Sequence, residues 1–377
     1  MQQFDAIVVG SGPAGGMAAW ERGRAQVKTL IVEAMNLPRP KPCGGALSPG
    51  VSRVFPGDLA GQTESQPTLV RNLMDYRQEK CFTTKGFRFV NRASFDAYLV
   101  QQALELGSHV TLRDSCSVRS VDECADGVTV VTDSGEVIKA KYLVAADGPT
   151  SRVARCLGIG GRRLLGAAMD AEIDVNDSTF ERERGRATFN YFCIKNGYGW
   201  IFPKKDGRLT CGVGSWRARS RVAQSMKDFI EGSFRPEEIL NCSLRGHAIP
   251  LYVREQAIFS QRVCLAGDAA NLVDPILGEG IYFALQSGAL AGQEIVAQLS
   301  ADCPTGLSGY QEAVRTAFGE RLLNLASFIM PIFLHAPQIF YREFVTENRS
   351  YTGLAAQLGQ QVRLMKSQRQ STIASSH

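Results

Sequence analysis

Phe4-Asp5-Ala6-Ile7-Val8-Val9-Gly10-Ser11-Gly12-Pro13-Ala14-Gly15 is the stretch on which the fold turns. Phe4 to Val9 is a short apolar run, suited to a parallel strand buried on both faces. It enters a G-x-G-x-x-G turn. Gly10 permits the sharp reversal, Gly12 lets the backbone approach a diphosphate, and Gly15 lets a helix pack closely on the strand. Ala14 to Ala25, rich in Ala and Arg, predicts that helix, and its start at Pro13 and Ala14 faces the phosphates. Val27 to Val32 predicts a second strand. Glu33, followed by Ala34, ends it where a carboxylate meets ribose hydroxyls. An ordinary glycine-rich turn is the competing reading; strand, helix, strand and acid in register favour dinucleotide binding.

The chain of 377 residues exceeds one ordinary core, so two interleaved domains plus an appendage are expected. At 44% hydrophobic and 21% charged residues, low complexity is excluded and a soluble globular protein is expected. No apolar run reaches the length of a membrane span. The first strand begins so early that no secretory leader is expected. Ten cysteines without C-x-x-C pairs, beside only four histidines, argue against metal centres and for reduced thiols in the cytoplasm. A net charge of +5 suits an anionic lipid surface or a diphosphate and selects neither; nucleic acid is not an expected partner.

Downstream, Pro38-Arg39-Pro40-Lys41-Pro42-Cys43-Gly44-Gly45-Ala46-Leu47-Ser48 reads as a stiff loop, either a connector or a wall of the cofactor site. Asn91 to Asp96 opens a helix with Phe95, Leu99, Ala103 and Leu106 on one face. Val110 to Ala140 predicts a small meander. Tyr142 to Ala146 is a buried strand delivering Asp147-Gly148 to a turn. From Ala167 to Trp216 the pattern becomes an antiparallel sheet, with a two-residue hairpin signal at Asn196-Gly197 and another turn at Asp206-Gly207. Tyr198, Trp200 and Phe202 share one face of a strand, as sheet core or as an apolar wall for substrate. Arg262 to Ala266 is another buried strand, ending in Gly267-Asp268-Ala269-Ala270. A long helix then runs from Ile281 to about Leu299, with Ala284, Gly288, Ala291 and Gly292 small enough for close packing. From Gly309 the chain reads as helical, with Leu325 to Leu334 apolar and interrupted by Pro331 and Pro337: a docked helix, a lid or a surface that dips into a bilayer. Leu354, Leu358, Val362 and Met365 fall at helical spacing. Arg349, Arg363, Lys366 and Arg369 make the tail basic, either as a surface helix or as a membrane contact.

Gly10-x-Gly12-x-x-Gly15, Asp147-Gly148 and Gly267-Asp268 together resemble the triple signature of FAD-dependent enzymes of the p-hydroxybenzoate hydroxylase fold. The resemblance implies that the first motif holds the ADP half, that Asp147-Gly148 lies near the pyrophosphate, and that Asp268 binds the ribitol. Lys41-Pro42-Cys43-Gly44-Gly45, Arg92-x-x-Phe95-Asp96, Tyr198-x-Trp200-x-Phe202-Pro203 and Gly267-Asp268-Ala269-Ala270…Pro275…Gly278-Glu279-Gly280-Ile281 resemble, more narrowly, the geranylgeranyl reductase family. The matches span about residues 4 to 300. Aromatic hydroxylases of this fold usually carry Asn where Ile281 stands, and lack the cysteine loop. Asn271 departs from the family's usual glycine.

The resemblance implies an α/β (α+β) protein: a Rossmann-like FAD-binding domain (1–62, 91–160, 257–305), an interleaved antiparallel-sheet substrate domain (63–90, 161–256) and a helical C-terminal region (306–377). It adds Cys43, Gly44, Gly45, Ala46, Arg92, Pro275, Gly278, Glu279, Gly280 and Ile281 to the residues facing FAD. It also makes Tyr198, Trp200 and Phe202 the wall of a dry, elongated slot. The implied reaction saturates isolated C=C bonds of a polyprenyl (geranylgeranyl-type) chain on a lipid, quinone, pigment or diphosphate with hydride from reduced flavin, the electrons coming from NADPH, NADH or ferredoxin. Cys43 is either a proton donor or relay, or a small residue packed in a tight loop. His247 and His335 fall outside the motifs and read as structural. A monooxygenase or halogenase on the same scaffold, and a prenyl-binding protein without catalysis, are the rival readings. The protein is expected in the cytoplasm, with the C-terminal region its one candidate for peripheral membrane contact.

Overall fold

The computed structural model describes residues 2–216, 221–302 and 305–347; the helical spacing at Leu354–Met365 and the basic tail lie outside them. A parallel sheet forms around Gln2–Val9. Thr29–Val32 and then Val110–Arg113 flank it on one side, Val137–Ala145 on the other, and Val263–Leu265 closes the row. Val137–Ala145 joins the parallel and antiparallel parts of one seven-stranded sheet. Val137–Ala140 pairs antiparallel with the meander Val118–Cys124/Gly127–Thr132, and Leu143–Ala145 pairs parallel with Val263–Leu265. Val110–Arg113 therefore belongs to the parallel layer and not, as its alternation suggests, to the meander. Its partners at Thr29–Val32 are distant in sequence, so local pattern cannot assign it.

Helix Pro13–Arg24 lies against the long helix Ile281–Ser300. A methyl on Gly288 would fall 2.2 Å from the Ala14 carbonyl oxygen, and one on Gly292 would fall 2.8 Å from Glu21 Cβ. The small residues thus bring the two backbones into contact. Helix Arg92–Leu104 starts at Asn91, whose side chain accepts from Ala93 N and Ser94 N, and buries Phe95, Leu99 and Ala103. Leu106 lies past its end and is exposed.

The second sheet has seven strands in the order Ile239–Leu251, Leu164–Val175, Arg208–Ser215, Gly197–Pro203, Arg186–Tyr191, Leu69–Met74 and Gln78–Thr83. It is antiparallel except where Arg186–Tyr191 runs alongside Leu69–Met74. Two features depart from the sequence reading. Helix Asp177–Glu183 interrupts the run of strands, started by Asn176 capping Thr179 N. The Asn196-Gly197 turn is not a two-residue hairpin: Tyr191 pairs with Tyr198, and residues 192–196 form the loop. Phe192 (φ 64°) and Asn196 (φ 57°) both take left-handed backbone there, and Phe192 sends its ring onto Phe333, 5.2 Å between centroids.

One face of this sheet buries Ala171, Ile173, Ile201, Leu209, Cys211 and Val213 under helix Val222–Ser233. The other carries the aromatic side chains and is covered by the C-terminal helices Asn324–His335 and Pro337–Phe340. Pro331 sits inside the first of these and does not end it; Pro337 opens the second.

Candidate functional site

The three nucleotide motifs converge on one point. A methyl on Gly10 (φ +99°) would fall 2.2 Å from the carbonyl oxygen of Ala146, beside Asp147. One on Gly15 would fall 1.9 Å from the Gly10 oxygen, and one on Gly267 (φ +57°) 3.1 Å from Ala14 Cβ. No side chain fits at any of them. Gly12 is different: a methyl there meets only Arg39 Nη2, at 3.5 Å, so the backbone at the N-terminus of Pro13–Arg24 stays approachable. This is the cradle a diphosphate needs. Asp147 Oδ2 accepts from Arg152 N (2.7 Å) and Val153 N (3.2 Å), while its Oδ1 is buried without a partner; Gly148 beside it has open space.

Glu33 accepts from Ser11 N (2.9 Å), Ser11 Oγ (2.5 Å) and Met35 N (2.9 Å) and faces Arg39 Nε at 3.2 Å. Burial alone would raise its carboxyl; Ser11, Arg39 and the backbone N–H groups outweigh that and hold it below the usual range. Arg39 also meets Asp96 (3.6 Å), which clamps Arg92 through two bonds of 2.9 and 3.0 Å. Burial lowers the Lys41 ammonium and Arg92 and Arg39 add to it, against Asp268 and Asp96. Burial lifts the Asp268 carboxyl, opposed by Lys41 and Arg92. Asp268 Oδ1 lies 3.5 Å from where a methyl on Gly280 would stand, which puts it at the start of Ile281–Ser300.

Two motif loops then meet the aromatic strand. The Cys43–Ala46 loop runs beside Phe202 and Trp200, since a methyl on Gly44 would fall 2.8 Å from the first ring and 3.0 Å from Trp200 Nε1. Lys204 Nζ fastens this loop by donating to Gly44 O (2.9 Å) and Val90 O (2.8 Å). The Pro275–Ile281 loop is held by Asp274, which accepts from Ile276 N and Leu277 N, and by the Tyr198 hydroxyl, which donates to Leu277 O. Its Gly278 lies against Trp216. Trp200 Nε1, Trp216 Nε1 and Glu279 Oε1 are buried polar atoms without partners around this junction. Asn271, the departure from the family pattern, takes left-handed backbone (φ 58°) and donates from Nδ2 to Gly160 O at 3.1 Å. Asparagine tolerates that conformation better than other side chains, which accounts for its standing in a glycine's place.

The slot expected at these rings is filled by the protein's own side chains. Tyr198, Trp200 and Phe202 are 6%, 7% and 4% exposed, and they form one continuous cluster with Tyr191, Trp216, Phe333, Phe340 and Tyr341. Ring centroids step from Phe202 to Trp200 (6.4 Å), Tyr198 (5.9 Å), Tyr191 (5.7 Å) and Tyr341 (6.1 Å). The apolar inner side of Asn324–His335 closes over the rings, a long-range contact that strand spacing does not reveal.

Two residues outside the motifs also reach the motif loops. His247 Nε2 lies 2.7 Å from Lys41 Nζ, and burial plus the Lys41 charge drive its imidazole down to about 3, so it stays neutral. Asp170 is buried, accepts from the Cys43 backbone N–H, and is pushed up to about 6 by burial and Glu172, against Arg245. Both stand on edge-proximal strands, at positions whose sequence carries no motif. Arg92 lies within hydrogen-bonding reach of Cys43 Sγ, and Gly45 N donates to that sulfur at 3.3 Å. Among the described residues no group of three or more His, Cys, Asp and Glu is placed to hold a metal ion.

A parallel sheet with a glycine cradle at its first crossover, joined in one chain to a second sheet with an aromatic face, is the arrangement of a dinucleotide-binding protein. The model of the FAD binding domain family matches residues 3–326, and the chain belongs to that family of FAD-dependent oxidoreductases. It is 27% identical over 335 residues to digeranylgeranylglycerophospholipid reductase 2 of Methanopyrus kandleri, covering 84% of each chain. It is 28% identical over 340 residues to an uncharacterized protein of Methanosarcina barkeri, covering 88% of this chain and 84% of that one. A geranylgeranyl bacteriochlorophyll reductase-like protein from Thermoplasma acidophilum superposes with a TM-score of 0.76 at 22% identity, over 89% of this chain and 88% of that one. A flavin-dependent brominase superposes at 0.71 and 19% identity, over 91% and 90%; the two share the fold.

Proposed function

We propose that the protein is an FAD-dependent reductase that saturates isolated C=C bonds of a geranylgeranyl-type chain carried on a lipid. The observation that carries this is the junction itself: an aromatic sheet face pressed against both loops that border the flavin site. Digeranylgeranylglycerophospholipid reductases among the relatives support the substrate class. NADPH, NADH or a ferredoxin, docking transiently, is the proposed source of electrons.

Bound FAD, once reduced, supplies the hydride. The rest falls to the chain. An isolated trisubstituted alkene has no neighbouring carbonyl, so it must gain a proton as hydride arrives, and positive charge develops on the tertiary carbon. Tyr198, Trp200 and Phe202 present π faces that favour that charge, and they exclude water that would quench it. Cys43, in the loop whose Gly44 lies against Trp200 and Phe202, is the proposed proton donor, and Arg92 lies within hydrogen-bonding reach of its Sγ. Asp170 orients the Cys43 loop through the backbone N–H and holds a proton in reserve below about pH 6. Because Phe333 and Phe340 close the rings in, the chain must part the C-terminal helices from the sheet to reach them.

The test is anaerobic incubation of dithionite-reduced protein with digeranylgeranylglyceryl lipid, followed by mass spectrometry. A gain of two hydrogens per bond is expected. An oxygen-dependent gain of oxygen or halogen on an aromatic acceptor, with the lipid unchanged, would replace this reading by the monooxygenase or halogenase one.

A further inference from the structure

We propose that the C-terminal helical segment docks the protein on an anionic bilayer, lying in the interface with Phe328 inserted. The proposal rests on the reading of the substrate as a prenyl lipid.

Leu322 to Tyr341 contains no Asp, Glu, Lys or Arg. Helix Asn324–His335 is therefore uncharged, with Asn324, Ser327 and His335 its polar residues, a pattern that normally belongs to a helix buried on most sides. Here only one side is buried. Ala326, Ile329, Met330 and Phe333 pack on the aromatic sheet face, whereas Phe328 is 67% exposed and Leu322 38% exposed, with Leu325 and Ile332 half-buried between them. The helix rises about 18 Å, well short of the roughly 30 Å hydrocarbon core. No helix among the described residues is long and apolar enough to cross a membrane. An interfacial position satisfies both facts.

Two further observations select a bilayer as the occupant. Ile339, 49% exposed on the next helix, lines a cleft of about 360 Å³ that Met74, Gln338, Tyr341 and Arg342 also line. Tyr341 also belongs to the ring series that runs through Trp200 to Phe202, so this cleft and the proposed chain site share a residue. The charge is complementary as well. Past Glu347 the sequence carries Arg349, Arg363, Lys366 and Arg369 and no carboxylate. A bilayer at this patch would offer the isoprenoid chain directly to the cleft while its headgroup stays in water.

The test is cosedimentation of the full-length, FAD-loaded protein with phosphatidylcholine vesicles, with and without phosphatidylglycerol. Binding is expected with the anionic vesicles and is expected to fall at least about tenfold in Leu322→Asp/Phe328→Asp, because one buried Phe contributes about 1.5–3 kcal/mol. Leu240→Asp, which removes a 70% exposed leucine from the far edge strand, serves as the control and should bind as wild type does. Wild type staying in the supernatant, undiminished binding of the double variant, or a dimer in size-exclusion that the double variant dissolves would overturn the proposal. Turnover of detergent-dispersed substrate separates the two readings. If it persists without vesicle binding, docking alone fails; vesicle binding without any saturation removes the substrate reading and with it the purpose given to docking.

Discussion

The second sheet has two faces made from the same strands, and they differ in kind. Odd positions of Leu164–Val175 and Arg208–Ser215 (Ala171, Ile173, Leu209, Cys211, Val213) bury aliphatic groups against Met226 and Phe229. Even positions give Asp170, Glu172, Thr210, Gly212 and Gly214, and the adjacent strand adds Tyr198, Trp200 and Phe202. A methyl on Gly212 would fall 2.1 Å from the Trp200 ring, so that glycine exists to seat the indole. The first face is what a sheet does for stability. The second keeps a buried carboxylate and unpaired indole N–H groups that stability would remove.

If the faces divide the labour in this way, substitutions should separate activity from stability. The largest effect is expected at Cys43. Cys43→Ala should lose about 100-fold in turnover, the scale of a lost general acid, with flavin absorbance retained. Unchanged turnover would assign Cys43 to packing. Trp200→Leu should lower turnover about tenfold through the lost cation–π contribution. Val213→Ala, on the opposite face, should cost about 2 kcal/mol in urea unfolding and leave turnover per folded molecule unchanged. Equal effects on turnover would erase the distinction between faces.

Asp170→Asn is expected to have the opposite sign in stability. A carboxyl raised to about 6 in the folded state binds protons more tightly than in the unfolded chain. Its cost is therefore absent below the unfolded value, grows as pH rises toward about 6, and stays constant above. The variant should be more stable than wild type at pH 7 by up to about 3 kcal/mol, with no difference near pH 3. Its pH–rate profile should also lose the step near 6. A variant less stable at pH 7 would show that Asp170 is a structural anchor. Gly212→Ala, whose methyl would fall 2.1 Å from the buried Trp200 ring, is expected to cost about 3 kcal/mol of overpacking and to change the tryptophan fluorescence.

The legible parts of the molecule are those whose chemistry is local. Gly10, Gly12 and Gly15 announce themselves because backbone approach and positive φ have one cheap solution, and the small residues of Ile281–Ser300 follow from the same logic. The aromatic alternation at Tyr198–Phe202 gave the face but not its cover, since the cover comes from Phe333 and Phe340, more than 100 residues on. Asp170 and His247 were illegible for a related reason. They reach Cys43 and Lys41 only after Leu164–Val175 and Ile239–Leu251 pair, and neither sits in a spacing that signals chemistry. Asn176, followed by Asp177 and Ser178, was a readable helix start that the surrounding β-pattern obscured.

The central claim is that the aromatic face is where a prenyl chain meets the flavin, and anaerobic stopped-flow tests it most directly. Protein reduced by dithionite should regain its oxidised absorbance near 450 nm when mixed with digeranylgeranylglyceryl lipid, faster at higher lipid concentration and more slowly in Trp200→Leu. A flavin that stays reduced with the lipid and reoxidises only with oxygen would contradict the account.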